Sequence, residues 1–205
     1  MEMERQFLQN FQDRLAIFVD YHNLEASLRN EGHQVDILSL RDYLSEGRWL
    51  LETFVYIGFN PNNHNGSQNF HQFLRMNGFM VRTKPAKVRP DGSLKCDFDI
   101  ELALDIVDYV EKVKPDIVVL VSGDGDFTPL ATWLRLRGLR IEVAAVSSTL
   151  SQTLREEANG YIDLFEAIQE IQRRGEEISL QREEVITNGT GNHQRQEGAD
   201  PGHSI

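Results

Sequence analysis

Short apolar runs and amphipathic stretches alternate along most of the chain. The apolar runs, some of them rich in β-branched residues, predict strands at Leu15–Asp20, Phe54–Phe59, Phe79–Thr83, Asp116–Val121 and Arg140–Ala145. Between them, apolar residues recur at three- and four-residue spacing and predict helices at Ile37–Glu46, Ser67–Met76, Ile100–Val113 and Asp126–Arg137. Strands that alternate with helices are typical of a mainly parallel sheet with helices on both faces, so the pattern predicts an α/β fold.

Two polar segments interrupt this alternation. Asn60–Gly66 is rich in asparagine, and Pro85–Ser93 is a basic segment with two prolines and an Asp-Gly pair. These residues favour turns, so both segments are predicted to be loops that rim the crevice at the strand ends. The aromatic residues expected to pack in the core are Trp49, Phe54, Phe59 and Trp133.

The C-terminal part of the chain differs in composition from the rest. We predict an N-terminal extension over residues 1–13, one folded domain over 14–166, a C-terminal helix over 167–187 and a disordered tail over 188–205. The helix carries an interrupted heptad at Leu164, Ile168, Ile171, Gly175, Ile178, Arg182 and Val185. It could form a homodimer through a short coiled coil, or it could be a solvated or locally docked helix.

Length and composition indicate one ordinary domain with an appendage. The 205 residues, of which 40% are hydrophobic, can bury one core. No apolar run approaches the roughly 20 residues of a membrane span, and the first residues lack the features of a signal peptide, so we expect a cytoplasmic protein without a membrane partner. The single cysteine, Cys96, excludes an internal disulfide and a multi-cysteine zinc site.

The charge is unevenly distributed. A net charge of −11 argues against generic adhesion to nucleic acid, which depends on Lys and Arg neutralising phosphates. Residues 75–95, however, contain six basic residues and only one acidic residue, Asp91. This basic strip consists of Arg75, Arg82, Lys84, Lys87, Arg89 and Lys95. Lys84, Lys87, Arg89 and Lys95 are expected nearest the rim, where they either bind backbone phosphates or form a solvated loop.

Acidic residues follow two of the predicted strands. Asp20 ends the first strand, and Asp124 and Asp126 follow the run that ends at Val121. Because the carboxyl ends of parallel strands form the ligand crevice of such sheets, these acids are expected at one site. Crowded carboxylates repel one another, and Mg²⁺ or Mn²⁺ is the simplest way to hold them together. Asp99, near the start of the third predicted helix, is a further ligand, although each acid could also simply cap a helix.

Three sequence blocks resemble those of the NYN domain family, LabA-like branch, a relative of the PIN-domain nucleases. They are Phe18–Asn23, Lys95–Asp105 and Val121–Leu130, in the family's order, and the resemblance covers roughly residues 14–165. It implies a Rossmann-like, PIN-like three-layer sandwich that binds Mg²⁺ or Mn²⁺ and cuts RNA phosphodiesters.

The resemblance also implies roles for individual residues. The metal-binding and catalytic acids would be Asp20, Asp99, Asp124 and Asp126, supported by Asn23. We add Ser122 as a second supporting residue, while His22 either contacts substrate or only orients the site. The sequence thus predicts a metal-dependent ribonuclease that acts as an endonuclease. The alternative is a regulatory or adaptor protein that acts through binding without catalytic turnover.

Overall fold

A six-stranded, entirely parallel sheet forms the centre of the protein. The computed structural model describes residues 13–62, 64–89 and 94–191. The strand order is β3-β2-β1-β6-β7-β8. These strands are β1 (Arg14–Asp20), β2 (Trp49–Phe59), β3 (Met80–Pro85), β6 (Ile117–Val121), β7 (Arg140–Ala145) and β8 (Gly160–Asp163). The predicted α/β fold with a mainly parallel sheet is confirmed.

Helices connect the strands, and one small hairpin lies outside the sheet. The helices are α1 (Tyr21–Asn30), α2 (Ile37–Ser45), α3 (His64–Met76), α4 (Asp99–Val113), α5 (Thr128–Arg135), α6 (Gln152–Glu157) and α7 (Leu164–Gly191), with a 3₁₀ turn at Gly125–Phe127. The hairpin pairs β4 (Lys87–Val88) antiparallel to β5 (Leu94–Lys95). Among the described residues, no helix has the length and apolarity needed to cross a membrane.

The core lies between the sheet and its helices. All five residues of β6 are buried, as expected for a strand covered on both faces. On one face, Leu102, Ile106 and Val110 of α4 pack into a cluster with the strand residues. Each such side chain contributes roughly 1.5–3 kcal/mol through its removal from water. The helical spacing of these apolar residues therefore places one face of α4 against the sheet.

The order of the strands reverses between β1 and β6. From β1 the chain builds outward through β2 and β3, and then returns to add β6, β7 and β8 on the other side. In doubly wound sheets this reversal opens a crevice at the carboxyl ends of the two neighbouring strands, where ligands bind. Asp20 ends β1 and Asp124 follows β6, so the topology brings the predicted acids to this crevice.

One aromatic prediction is wrong. Trp49 is 59% exposed, because it begins β2 beside Arg14, at the first pair of the β1–β2 register. Phe54 is buried in the core, and Trp133 packs against the core from its edge. The ring of Trp133 also lies 3.6 Å below the guanidinium carbon of Arg137.

The chain divides into two compact units, residues 1–167 and 168–205. In the second unit, Glu170 pairs with Arg173 and Arg174 along α7, and Ile178 is half exposed. Residues 188–191, predicted as part of the tail, belong to α7. Residues 1–12 of the predicted extension and 192–205 of the predicted tail lie outside the described residues. The domain bounds and the coiled-coil dimer remain predictions.

Candidate metal centre

Asp20 occupies the end of β1 and the N-terminus of α1. Its Oδ1 accepts a hydrogen bond of 3.1 Å from the backbone N–H of Asn23, which caps the helix. The residue is 8% exposed. The pKa of Asp20 is raised to about 6, mainly by burial and also by the negative charge of Asp124, while the hydrogen bond from Asn23 acts in the opposite direction. This carboxyl group is therefore held near the sheet's crevice at an electrostatic cost.

A tight acidic turn follows β6. Asp124 caps the 3₁₀ turn, and its Oδ1 accepts a 3.0 Å hydrogen bond from the backbone N–H of Asp126. The buried Phe127 anchors the turn, and Pro129 lies in the first turn of α5, where its missing N–H costs no helical hydrogen bond. Asp126 is exposed and Asp124 is half-buried. This pair of acids can therefore cap the turn, bind a ligand, or do both.

Asp99 is the first residue of α4. The pKa of Asp99 is raised to about 7, first by burial and then by the negative charges of Asp97, Asp124 and Asp20. The effect of its charge on the pKa of Asp99 makes Asp97, which was not predicted from the sequence, a neighbour of the site. The Oδ1 of Asp97 accepts a 3.2 Å hydrogen bond from the backbone N–H of Asp99, so it shapes the entrance to the helix.

These acids form a cluster with the ligand chemistry of a hard cation. One carboxylate oxygen from each of Asp99, Asp124 and Asp126 can be chosen so that all lie within 4.8 Å of one another. Asp20 is outside this group of three, but its pKa responds to Asp124. We call these four residues the acidic cluster. Carboxylate oxygens without histidine or cysteine suit Mg²⁺ or Mn²⁺, and the positive charge of a bound cation would lower the raised pKa values of Asp20 and Asp99.

Asn23 and Ser122 connect the elements that carry the acids. The backbone N–H of Gly123 donates to Asn23 Oδ1 at 3.1 Å, joining α1 to the turn after β6. Ser122 Oγ accepts a 3.3 Å hydrogen bond from the backbone N–H of Asp124. Gly123 has no room for a side chain, because an added Cβ would lie 2.8 Å from the carbonyl oxygen of Thr149. Both predicted supporting residues lie where they hold the acidic turn.

His22 is engaged with the sheet. Its Nε2 accepts a 2.8 Å hydrogen bond from the backbone N–H of Gly58 in β2. Burial lowers the pKa of His22, which keeps the imidazole neutral so that Nε2 can accept. A Cβ at Gly58 would lie 2.6 Å from the Cβ of Cys96, so the glycine is needed for this approach. The orienting role of His22 is the one this geometry supports.

The basic residues near the rim fall into two kinds. Lys84 pairs with Glu101, and its Nζ lies 4.5 Å from the centroid of the Phe98 ring. Lys87 and Lys95, by contrast, are exposed and directly opposite each other in the β4–β5 hairpin, and Arg89 follows β4 as a third exposed cation. The hairpin therefore presents positive charge, whereas Lys84 is largely neutralised.

Asp105, the last residue of the second sequence block, has a structural role. Its Oδ2 accepts hydrogen bonds from the hydroxyl of Tyr56 at 2.9 Å and from Nε of Arg82 at 3.0 Å. Burial, with the neighbouring Asp105 carboxylate adding to it, raises the pKa of Tyr56 and keeps the phenol protonated as the donor. Asp105 thus connects α4 to β2 and β3.

The fold and the acidic cluster define an α/β protein with a carboxylate pocket at the switch point of a doubly wound sheet. The sequence profile of the NYN domain matches residues 14–182, so this chain belongs to the NYN domain family. The resemblance noted from the sequence blocks is confirmed.

Two relatives show how far the similarity extends. The chain is 31% identical over 160 residues to the low amplitude and bright protein LabA of Synechococcus elongatus, covering 74% of this chain and 83% of that protein. It is also similar to the crystal structure of a protein of unknown function from Vibrio parahaemolyticus, with 28% sequence identity and a TM-score of 0.65. That match covers 76% of this chain and 95% of the other. Both similarities span most of each partner.

Proposed function

We propose that this protein is a metal-dependent ribonuclease that hydrolyses phosphodiester bonds within RNA. The observation that carries the proposal is the convergence of Asp99, Asp124 and Asp126 beside Asp20 at the switch point, in a member of the NYN domain family. A carboxylate pocket in this position is suited to phosphoryl chemistry, because it can hold a divalent cation where a substrate enters.

Each acid has a distinct part in this proposal. Asp99, Asp124 and Asp126 would hold Mg²⁺ or Mn²⁺, and Asp20 would join them directly or through water. A bound ion of this kind activates water and neutralises charge on the phosphoryl oxygens. Asn23 and Ser122 act by positioning, since each accepts a hydrogen bond from the backbone of the acidic turn.

The rest of the chain contributes to substrate binding. The acidic cluster repels a polyanion until its charge is neutralised, so RNA and metal binding should be coupled. The exposed cations Lys87, Arg89 and Lys95 would contact the RNA backbone without reading its sequence. Lys84 would contribute less, because Glu101 neutralises it.

Cleavage assays with matched variants test the proposal. Labelled single-stranded and structured RNAs and DNAs are incubated with Mn²⁺, Mg²⁺ or EDTA. Wild type should cut RNA only with a metal, and Asp20→Asn and Asp124→Asn should each lose at least about a hundredfold in rate. Asp108→Asn is the control, because Asp108 is an exposed residue of α4 that pairs with Lys112.

The assay also decides between the nuclease and its alternative. A folded wild-type protein that binds Mn²⁺ but cuts no nucleic acid in the panel would refute the nuclease. The regulatory or adaptor protein, acting through RNA or protein binding without turnover, would then be the better description. Equal activity in wild type and both active-site variants would instead place the chemistry outside the acidic cluster.

A further inference from the structure

A second cleft lies between α3 and the edge of the sheet, and none of the four acids lines it. It has a volume of about 200 Å³. Its lining residues are Phe59, Ser67, Gln68, His71, Arg75 and Thr83, and we call it the α3 pocket. Five of the six carry polar side chains, and none is acidic. The pocket is therefore neither a hydrophobic groove nor a cation site.

The sequence arranges these polar groups on facing surfaces. Ser67, His71 and Arg75 are four residues apart in α3 and thus share one face of the helix. Thr83 faces them from β3, because side chains alternate along a strand and its neighbours Arg82 and Lys84 contact α4 on the other face. The pocket is built from regular elements rather than from a loop.

Two of its side chains have no partner within the described residues. His71 is 6% exposed, yet neither its imidazole nor the guanidinium of Arg75 takes part in a hydrogen bond or an ion pair among residues 13–62, 64–89 and 94–191. Arg82 and Lys84, which belong to the same basic strip, both have acidic partners. The only buried side-chain polar atom without a partner among the described residues is Thr53 Oγ1, so the nitrogens of His71 and Arg75 keep contact with solvent and are available to a ligand in the pocket.

The donors determine what kind of ligand that is. Burial, and then the positive charge of Arg75, lowers the pKa of His71, so the neutral ring supplies one N–H. Arginine adds a fork of donors, and the hydroxyls of Ser67 and Thr83 add two more. Such a set matches the oxygens of a phosphate group, and the exposed guanidinium of Arg75 adds a positive charge to which an anion is attracted.

The position of the pocket relates it to the acidic cluster. Thr83 is paired with Ile57, one residue beyond the Tyr56 that is paired with Asp20. Two strand spacings, about 10 Å, therefore separate Thr83 from the end of β1. An RNA strand that enters the crevice would pass both the α3 pocket and the acidic cluster, because both lie at the same edge of the sheet.

We propose that the α3 pocket binds a backbone phosphate of the RNA strand, close to the phosphodiester held at the acidic cluster. This inference rests on the proposed function and adds a positioning contact that is independent of base sequence. It also gives Arg75 a role that differs from that of the hairpin cations, because Arg75 acts together with a buried histidine.

RNA binding without cleavage is the first test. In the Asp20→Asn, Asp124→Asn double variant, affinity for a short labelled single-stranded RNA is measured by anisotropy over a series of salt concentrations. Adding Arg75→Ala should weaken binding about tenfold at low salt for every sequence, and reduce the slope of log K against log salt by about 0.7. Lys112→Ala, which removes an equal charge from the far end of α4, should change neither.

A local probe identifies the ligand. The ring ¹⁵N resonances of His71 in the same double variant are followed by NMR while the RNA, or inorganic phosphate, is added. A shift on RNA binding that Arg75→Ala abolishes supports the proposal. RNA that binds without moving the His71 signals, or an unchanged salt slope in Arg75→Ala, overturns it. A response to inorganic phosphate but not to RNA overturns it as well, in favour of a small-anion site. Cleavage by the chain with its four acids intact is read separately, so the nuclease proposal can stand when this one fails.

Discussion

Asp20 is subject to opposing demands at the end of β1. As the N-cap of α1 it accepts a backbone hydrogen bond, yet it is nearly buried and lies close to other carboxylates. In the folded protein its pKa is about 6, above the usual 3.8. Proton binding therefore favours folding: this contribution is fully present below pH 3.8 and is lost as pH rises through 6. Without metal, the charged carboxylate destabilises the fold above that pH.

Asp20→Asn should therefore stabilise the metal-free protein at neutral pH. The amide keeps an oxygen for the cap but carries no charge, so the free energy of unfolding at pH 7.5 should rise, by at most about 3 kcal/mol. The gain should vanish near pH 4, where wild-type Asp20 is largely protonated. Urea unfolding in EDTA at both pH values measures it. Asp36→Asn, at the exposed N-cap of α2, is the matched control and should have little effect at either pH. A loss of stability in Asp20→Asn at pH 7.5 would contradict this account.

Single residues were predictable from sequence where their position in an element defined them. Asp20 and Asp124 were selected because they follow strands, and the topology places both at the switch point. Asp97 was not selected, because only the observed start of α4 at Asp99 shows that it precedes the helix and bonds to its first N–H. The partners of His22 and Lys84 could not be predicted from the sequence either, since Gly58 and Glu101 are distant from them along the chain.

At the scale of elements, the turn after β6 rests against the loop after β7. Gly123 accepts a 2.9 Å hydrogen bond from the backbone N–H of Ser151. An alanine Cβ at position 123 would lie 2.8 Å from a backbone oxygen and 3.2 Å from the Cα of Leu150. Backbone atoms cannot rotate away as a side chain can, so the acidic turn itself would have to move.

Gly123→Ala should therefore weaken metal binding without removing any ligand. We expect the affinity for Mn²⁺, measured by calorimetry, to fall about tenfold, because misplacing Asp124 by a fraction of an ångström disturbs the ligand geometry. The melting temperature should fall as well. Gly175→Ala is the control, since an added Cβ there meets nothing within 4 Å, and the helical alanine should only stabilise α7. Wild-type affinity in Gly123→Ala would show that the turn tolerates the contact.

A buried ion pair connects two other elements. Arg48, just before β2, donates to Glu142 of β7 at 2.7 Å, with only 19% and 10% of the two side chains exposed. Burial alone would raise the pKa of Glu142, but hydrogen bonds from Arg48 and Arg140 lower it below its usual range. Such a pair stabilises the fold above the usual carboxyl pKa, and the contribution is lost as pH falls through the lowered value.

Arg48→Met should cost about 3 kcal/mol of unfolding free energy at pH 7, because it leaves a buried carboxylate with Arg140 as its remaining partner. The cost should shrink as the pH is lowered through the acid range and Glu142 becomes protonated. Urea unfolding of Arg48→Met, Glu142→Gln and the double variant measures the coupling between them. Arg29→Met, which breaks the exposed pair with Glu25, should cost less than about 1 kcal/mol. Equal losses of unfolding free energy in Arg48→Met and Arg29→Met would mean that burial does not strengthen the pair of Arg48 and Glu142.

Elements were predictable where burial imposes a clear pattern. The limits of β7 agree with the predicted Arg140–Ala145, and α4 begins one residue before the predicted Ile100. The polar helix α1 and the short edge strand β8 were not predicted, because neither carries a strong apolar period. The hairpin that pairs β4 with β5 was predicted only as a loop, since two-residue strands leave almost no periodicity to detect.

At the scale of the whole molecule, a net charge of −11 opposes binding to a polyanion, so the placement of the positive charges decides whether RNA can approach. In the β4–β5 hairpin, Lys87 lies directly opposite Lys95. Like charges in that arrangement destabilise a pair of strands, unless a bound anion neutralises them. The hairpin precedes α4, whose first residue is Asp99. These lysines therefore lie in the same region of the molecule as the acidic cluster.

The double variant Lys87→Ala, Lys95→Ala should therefore weaken RNA binding and leave Mn²⁺ affinity nearly unchanged. Each lost phosphate contact reduces the slope of log K against log salt by about 0.7, so the two together should reduce it by about 1.4. Anisotropy with labelled RNA across a salt series, and calorimetry with Mn²⁺, give the two quantities. Arg29→Ala, Lys112→Ala removes the same charge from exposed ion pairs in other elements and is the matched control. If both double variants reduce the slope equally, overall charge governs RNA binding and the hairpin has no special part in it. If only the hairpin variant does so, an acidic protein approaches RNA through one local basic surface.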